Sequence, residues 1–136
     1  MSKVRIHPND ELAWHELREI YPPEMAKTVT NAELDSQFRD HEAGLDGSLN
    51  LSEFDFKPGA TFGLHAHDLD EIAYVVRGSM VFGNRMIPAG SSVFIAKDTL
   101  YGLGAGDDGL QLLVFRADGR AQSWEKDEYL RLRAER

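Results

Sequence analysis

The sequence predicts an all-β sandwich or barrel, and three observations support this. Short stretches rich in aliphatic and aromatic residues recur along the chain, each bounded by Gly, Pro, Asn or Asp. In the first stretch apolar and polar residues alternate, the period of a strand with one buried face, and a change of phase between Leu51 and Phe54 predicts a bulge in the second. Gly83-Asn84 is typical of a tight hairpin turn. The predicted strands cover residues 34–39, 49–56, 71–77, 80–82, 91–95, 100–103 and 110–116.

The two ends of the chain carry weaker patterns. Residues 4–23 suit either a short helical turn or an extended arm, and Pro22-Pro23 argues against further helix there. Ser123 is a candidate N-cap for a C-terminal helix that includes Trp124 and Tyr129. We therefore expect one domain over residues 1–136, with an N-terminal arm (1–30), a core (about 34–116) and a helical tail (121–136).

Composition excludes several classes of function. A length of 136 residues suits one domain, and 42% hydrophobic with 28% charged residues is ordinary for a soluble globular protein. No apolar run approaches the ~20 residues that span a bilayer, so we expect no membrane contact. The formal net charge of -8 would repel phosphate backbones, so nucleic acid is not an expected partner. Residues 1–10 lack the apolar segment of a signal peptide, which predicts a cytoplasmic protein.

Residues 65–71 carry the strongest chemical pattern. The chain has no cysteine, so any metal would be held by nitrogen and oxygen ligands. His65 and His67 are two positions apart, and in a strand their side chains point to one face and can reach one ion. Glu71 can return to that face after the short turn at 68–70. Two imidazoles and a carboxylate leave coordination positions open for water, oxygen or substrate, which predicts a site for one divalent transition metal.

The same residues carry a family resemblance. Gly59, His65, His67, Glu71 and Gly78 follow the spacing G-x5-H-x-H-x3-E-x6-G, which resembles the complete first motif of the cupins. The resemblance extends over about residues 34–116. It implies a cupin-type double-stranded β-helix, or jelly-roll barrel, with the metal inside one mouth, the N-terminal arm outside the core and a short C-terminal helix. Many small single-domain cupins are homodimers, so it also implies a homodimer.

The second cupin motif, G-x5-P-x-G-x2-H-x3-N, is degenerate in this sequence. With its first glycine at Gly90, Ala96 replaces the proline, Asp98 the second glycine and Ala105 the asparagine. Tyr101 stands where the family usually has its histidine ligand. Three interpretations of Tyr101 remain: a phenolate metal ligand, an acid or base acting on a bound substrate, or an aromatic filler of the barrel.

Further side chains could face the same cavity. Gln37 and Arg39 share one face of the first predicted strand, a region that often lines the pocket in cupins, and Arg39 would suit a substrate carboxylate. The alternative for both is a solvated strand face. Tyr74 has the opposite strand parity to Glu71 and should point away from the metal. We expect the apolar wall of the barrel to come from Phe54, Phe56, Phe62, Met80, Phe82, Phe94 and Phe115.

Together these features predict a metal-dependent enzyme acting on a small organic acid, ketone or enediol. Fe(II) is the expected metal, because the ligand set resembles mononuclear non-haem iron centres, with Zn, Mn, Ni or Co as alternatives. The leading reaction is oxygen-dependent cleavage by a dioxygenase-like oxidoreductase, in which Tyr101 transfers a proton and Arg39 orients the substrate. The alternatives are an isomerase or lyase that does not use oxygen, and a non-catalytic ligand-binding or sensor cupin with a structural metal, which the degenerate second motif favours.

Overall fold

The computed structural model describes residues 3–135. The first two residues of the predicted arm and the last residue of the predicted tail lie outside the described residues. The helices are α1 (Pro23–Ala26), α2 (Asn31–Asp35) and α3 (Lys126–Ala134), and short 3-10 turns lie at Asn9–Glu11 and Leu17–Glu19. The strands are β1 (His15–Glu16), β2 (Gln37–Glu42), β3 (Asn50–Phe56), β4 (Thr61–His67), β5 (Glu71–Phe82), β6 (Arg85–Pro88), β7 (Ser92–Ile95), β8 (Tyr101–Arg116) and β9 (Ser123–Glu125).

The long strand β8 organises the sheet. Its C-terminal part pairs antiparallel with β3 on one side and with the first half of β5 on the other, whereas its N-terminal part pairs with β4. One path of neighbours runs β1-β2-β3-β8-β4-β9, and β5 also pairs with β6 and β7. The inner side chains of these strands form one apolar core around Val75, Met80, Leu110 and Leu112. The predicted all-β architecture is confirmed.

Several predicted strands are longer than the sequence pattern indicated. Residues 71–77 and 80–82 belong to the single 12-residue strand β5, and residues 100–103 and 110–116 lie largely in the 16-residue strand β8. The Gly83-Asn84 hairpin is confirmed, because Phe82 pairs directly with Arg85. The predicted bulge was placed on the wrong strand. The register shift lies in β2, between Asp40 and Glu42, opposite β3.

The segment before β2 differs from the prediction. Residues 31–35 form α2 rather than the start of a strand, because the Thr30 hydroxyl caps the helix by accepting from the Glu33 N–H at 3.2 Å. The expectation that Pro22-Pro23 excludes further helix was also wrong. Pro23 is the first residue of α1, a position where proline has no helical hydrogen bond to lose.

The C-terminal helix is confirmed, but its predicted N-cap is not. Ser123 lies in β9 and pairs with His67 of β4, so the helix begins three residues later, with Glu125 at the N-cap position. Helix α3 attaches to the barrel through Tyr129, whose buried hydroxyl donates to the backbone oxygen of Asp98 at 2.6 Å. None of the helices within residues 3–135 combines the length and apolar character of a membrane span.

The sheet leaves one apolar area uncovered on its outer side, here called the outer apolar face. Phe94 and Phe115 were predicted to line the barrel interior, but they flank Ile72 on the two neighbouring strands and are 65% and 45% exposed. The prediction was wrong because both residues have the strand parity of the outer side. Tyr74 lies on the same side, as its parity predicts. The outer apolar face consists of Leu49, Ile72, Tyr74, Val76, Phe94 and Phe115.

We propose that a second copy of the chain covers the outer apolar face. An aromatic side chain carries about 150–250 Å² of surface, so six large apolar side chains about half exposed present on the order of 500 Å². That is much of the roughly 800 Å² that each partner buries in a standard interface. The chain itself covers only the neighbouring part of this side, where Leu12 and Trp14 contact Arg39. A symmetric dimer would bury the same face on both copies.

The dimer predicts a clear response to one added charge. Phe94→Glu places a carboxylate at the centre of the interface and should convert a dimer into a monomer in analytical ultracentrifugation, with an unchanged far-UV circular dichroism spectrum. Leu64→Glu makes the same change at a residue that is 44% exposed outside this face, and it should remain dimeric. A wild-type protein that sediments as a monomer at micromolar concentration contradicts the proposal.

A second prediction concerns the two motif glycines. Gly59 and Gly78 have nearly the same left-handed φ, 74° and 75°. A Cβ at Gly78 would lie 2.0 Å from the backbone oxygen of Gly109, whereas at Gly59 nothing lies within 4 Å. Gly59→Ala should therefore cost only the backbone strain of about 1 kcal/mol. Gly78→Ala should lower the free energy of unfolding by at least about 2 kcal/mol more, because strands β5 and β8 must separate. If urea denaturation shows the same loss of unfolding free energy for both variants, the close approach of Gly78 to the Gly109 carbonyl does not contribute to stability.

Candidate functional site

Four of the predicted site residues line one cavity inside the barrel. His65 and His67 come from the end of β4, Glu71 from the start of β5 and Tyr101 from the start of β8. The cavity has a volume of about 190 Å³, and apolar side chains supply most of its wall. Four of the predicted wall residues line this cavity: Phe54, Phe56, Phe62 and Met80.

Strand register brings these side chains together. His65 pairs with Tyr101 across β4 and β8, and their ring centroids are 4.4 Å apart. The His65 and His67 rings lie edge to face at 5.0 Å, as the two-residue spacing predicts for side chains on one face. Across β5 and β8, Glu71 pairs with Arg116. An arginine that the sequence analysis did not identify therefore lies beside the predicted carboxylate ligand.

Both carboxylate oxygens of Glu71 have hydrogen-bond donors. The Tyr101 hydroxyl donates to Oε1, and the Arg116 Nη2 donates to Oε2 at 2.5 Å. Glu71 is only 4% exposed, so its charge is taken out of water and depends on these two partners. A buried carboxylate held by a phenol and a guanidinium is the central polar feature of the cavity.

Burial shifts the protonation equilibria of Tyr101 and His67. Removal from water raises the pKa of Tyr101 well above its usual value, and the nearby Glu71 charge raises it further. The phenol is therefore a proton donor in this arrangement. For His67, burial lowers the pKa to about 4, and the positive charge of Arg116 acts in the same direction. His67 is therefore a neutral imidazole at physiological pH.

His65 is oriented by a backbone carbonyl two residues earlier in the chain. Its Nδ1 lies 2.8 Å from the carbonyl oxygen of Gly63. A carbonyl can only accept, so Nδ1 carries the proton and Nε2 keeps its lone pair. This contact between one ring nitrogen and a backbone carbonyl is the arrangement that commonly orients a metal-binding histidine. The chemistry of His65, His67 and Glu71 thus fits a divalent transition metal.

The potential metal ligands have suitable chemistry, but their side chains are not arranged around one point. Within residues 3–135, no group of three His, Asp or Glu side chains is close enough to hold a metal ion as the side chains stand. Glu71 accepts one hydrogen bond at each oxygen, from Tyr101 and from Arg116. A metal at this carboxylate would therefore compete with these two donors for its lone pairs.

Arg39 does not reach this cavity. It lies on the outer side of the sheet, where its Nε donates to Glu53 Oε1 at 2.9 Å and its Nη2 donates to Asn9 Oδ1 at 2.7 Å. Its guanidinium also lies 4.2 Å from the centre of the Trp14 ring. Burial would raise the pKa of Glu53, but hydrogen bonds from His41, Arg39 and Gln111 outweigh it and hold the pKa below its usual value. Arg39 is thus part of a buried ionic cluster under the N-terminal arm.

Arg116 is the cavity residue that sequence reasoning missed, although a signal was present. Leu110, Leu112 and Val114 lie at two-residue spacing and are almost fully buried, so they mark the inner face of β8. Arg116 continues that spacing and therefore points to the same side. A charged residue at the end of an apolar inner stripe needs a buried partner, and Glu71 is that partner.

A wider vestibule opens next to the histidines. It has a volume of about 710 Å³ and is shared by His65 and His67 with residues of the N-terminal segment, including Tyr21 and Glu33. The Tyr21 hydroxyl donates to Glu33 Oε2 at 2.7 Å. Burial raises the pKa of Glu33, and the charge of Glu125 adds to this effect, whereas the Tyr21 hydrogen bond opposes it. The front of the chain therefore forms part of the entrance, which the sequence patterns did not indicate.

Solved structures with the same architecture were found by structural comparison. KdgF from Halomonas sp. superposes with a TM-score of 0.60 at 22% identity, covering 81% of this chain and 92% of that one. An RmlC-like cupin from Shewanella frigidimarina superposes with a TM-score of 0.65 at 16% identity, covering 87% and 95%. The protein has a cupin fold. The predicted cupin-type barrel is thereby confirmed.

The chain also resembles part of a larger enzyme. Bacillus subtilis oxalate decarboxylase superposes with a TM-score of 0.58 at 18% identity. The match covers 70% of this chain but only 29% of that enzyme, so the chain corresponds to less than a third of it. Neither the protein-family models nor the curated proteins gave a match to the chain.

Two of the ion pairs on the outer side of the barrel differ in burial, and we expect them to contribute differently to stability. Arg39–Glu53 is almost fully buried, whereas in Arg77–Asp55 the side chains are 53% and 33% exposed. Arg39→Gln leaves the Glu53 charge buried with fewer partners and should lower the free energy of unfolding by about 3 kcal/mol. Arg77→Gln should change it by less than about 1 kcal/mol. Urea denaturation measures both, and a small effect at Arg39 would argue against a structural role.

Proposed function

We propose that this cupin is a metal-dependent enzyme that binds one divalent transition metal through His65, His67 and Glu71 and acts on a small organic acid, ketone or enediol. One observation carries the proposal: two imidazoles, a carboxylate and a phenol share a single apolar cavity inside the barrel. A purely structural barrel has no need of this combination, because each buried polar group costs free energy unless it is paired. Mn(II) centres in Bacillus subtilis oxalate decarboxylase give a precedent for a metal in this fold.

The protein residues have distinct roles in this proposal. Nε2 of His65 and a ring nitrogen of His67 are metal donors that need not lose a proton first. Glu71 is the third donor once its carboxylate turns from Tyr101 or Arg116. A bound ion would supply Lewis-acid polarisation of a substrate oxygen and, as Fe(II), access to oxygen chemistry. Tyr101 holds a proton next to the reacting region and can donate it to a substrate atom that replaces Glu71 as its acceptor.

We propose oxygen-dependent cleavage as the reaction and Fe(II) as the metal, because a two-histidine, one-carboxylate set with open positions suits mononuclear iron oxygenases. A second candidate is an isomerisation or elimination without oxygen. It is supported by the position of Tyr101, whose hydroxyl lies in the cavity and donates to Glu71, so that it holds a proton beside the space for a substrate. Consumption of dissolved oxygen during substrate turnover separates the two, because only the first requires it.

Metal binding is the first test. Metal-free protein should bind one equivalent of Mn(II) or Zn(II) per chain in isothermal titration calorimetry. His65→Ala and Glu71→Gln should each weaken the affinity at least about tenfold by removing a ligand. Arg116→Gln should strengthen it by about tenfold or more, because the ion no longer competes with a cation for Glu71.

The matched control is His7→Ala, which removes a histidine that does not line the cavity and pairs with Glu42. Its metal affinity should equal that of the wild type. Circular dichroism of each metal-free variant checks folding. Two outcomes would contradict the proposal: a folded wild-type protein that binds none of the offered ions, or a His7→Ala variant that loses as much metal affinity as the His65 and Glu71 variants. Either result would leave only a ligand-binding cupin without a functional metal. Metal whose removal unfolds the chain would indicate a structural ion.

A further inference from the structure

Arg116 has hydrogen-bonding capacity that the described residues do not use. Its Nη2 donates to Glu71, but its Nε is buried and has no hydrogen-bond partner. A buried donor without a partner costs stability, and native proteins seldom retain one without a reason such as a ligand. Arg39 provides the contrast, since its Nε, Nη1 and Nη2 all donate to Asn9, Leu12 or Glu53.

Arg116 lies where its free hydrogen-bond donor could contact a molecule bound in the cavity. It lines the 190 Å³ cavity together with His65, His67, Glu71 and Tyr101. A guanidinium presents several N–H donors in one plane and matches a carboxylate in a two-bond arrangement. The rest of the wall is aromatic and aliphatic. The cavity therefore suits a small molecule with an apolar body and one anionic group.

The charge of the cavity points the same way. Glu71 and Arg116 form an ion pair whose opposite charges cancel. A divalent ion at the proposed site would leave a net charge of about +2 in a largely apolar cavity, which is unfavourable without an anion to balance it. Where Glu71 gives up Arg116 to reach the ion, the guanidinium also loses its partner. The same event thus creates the excess positive charge and frees the group that would bind an anion.

We propose that Arg116 is the anion-binding residue of the cavity and that it selects a small carboxylate with an apolar body. The inference rests on the proposed function, because it concerns the ligand of the same cavity, but Arg116 can bind a carboxylate even without a metal. The guanidinium and the ligand carboxylate form the ion pair, and the aromatic walls pack against the body of the ligand. Arg116, rather than Arg39, thus fills the carboxylate-binding role expected from the sequence.

Benzoate and benzamide provide a matched pair of probes, since they have nearly the same shape and differ in charge. We expect the wild-type protein to bind benzoate at least tenfold more tightly than benzamide in calorimetry, both metal-free and loaded with Zn(II). Arg116→Gln should remove the preference, whereas Arg77→Gln, which alters an exposed arginine, should retain it. Glu71→Gln frees Arg116 without removing it, so it should strengthen benzoate binding to the metal-free protein by about tenfold.

The outcomes for ligand and metal can be read separately. Equal binding of benzoate and benzamide by the wild type, or a preference that survives Arg116→Gln, overturns the inference even if the metal binds. A benzoate preference that depends on Arg116 in a protein that binds no metal supports the inference and removes the proposed metal enzyme. Should Arg116→Gln fail to fold by circular dichroism, the Glu71→Gln variant decides, since unchanged or weaker benzoate binding there also overturns the inference.

Discussion

The buried carboxylate of Glu71 is the constraint on which the rest of the site depends. An ionised carboxylate away from water is strongly destabilising unless it is hydrogen-bonded and paired. The two partners of Glu71 are the first and last residues of one strand, because Tyr101 begins β8 and Arg116 ends it. A strand whose two ends meet at one side chain must curve around the barrel. The closed architecture and the polar site are therefore two consequences of the same path of β8.

The alternation of side chains along each strand separates two kinds of polar chemistry. On the inner side, His65, His67 and Glu71 face a cavity that a small molecule can enter. On the outer side, Arg39 and Glu53 form a cluster that the arm residues Asn9 and Trp14 cover. Both clusters contain an arginine and a buried glutamate. The inner cluster lines the 190 Å³ cavity, whereas the arm covers the outer one, so the same residue types form a candidate site in one place and support the fold in the other.

The sequence predicted the inner face better than the segments around it. A two-residue period and the first motif located His65, His67 and Glu71, because strand geometry converts spacing directly into a shared face. The alignment of the second, degenerate motif located Tyr101. Local features decided the structure of residues 23–35: Pro23 starts α1, and Thr30 caps α2. The alternating pattern that begins at Leu34 was therefore misleading at its first two residues. The partners of Glu71 could not be read from the motif, since they depend on which residues of β8 lie opposite β4 and β5. The placement of Phe94 failed because a short apolar strand gives no indication of which face is covered.

The departure of the second motif has a physical consequence that links Tyr101 to Arg116. A histidine at position 101 would offer a neutral lone pair, whereas the phenol offers a proton, and that proton goes to Glu71. With a donor on each oxygen, the carboxylate is stable in the cavity without any other cation. In the proposed metal site an ion would compete with these donors for Glu71, and an ion that displaced Arg116 would leave a buried guanidinium that needs an anion. With tyrosine at position 101, the proposed metal and an anionic ligand would therefore bind more favourably together than either does alone.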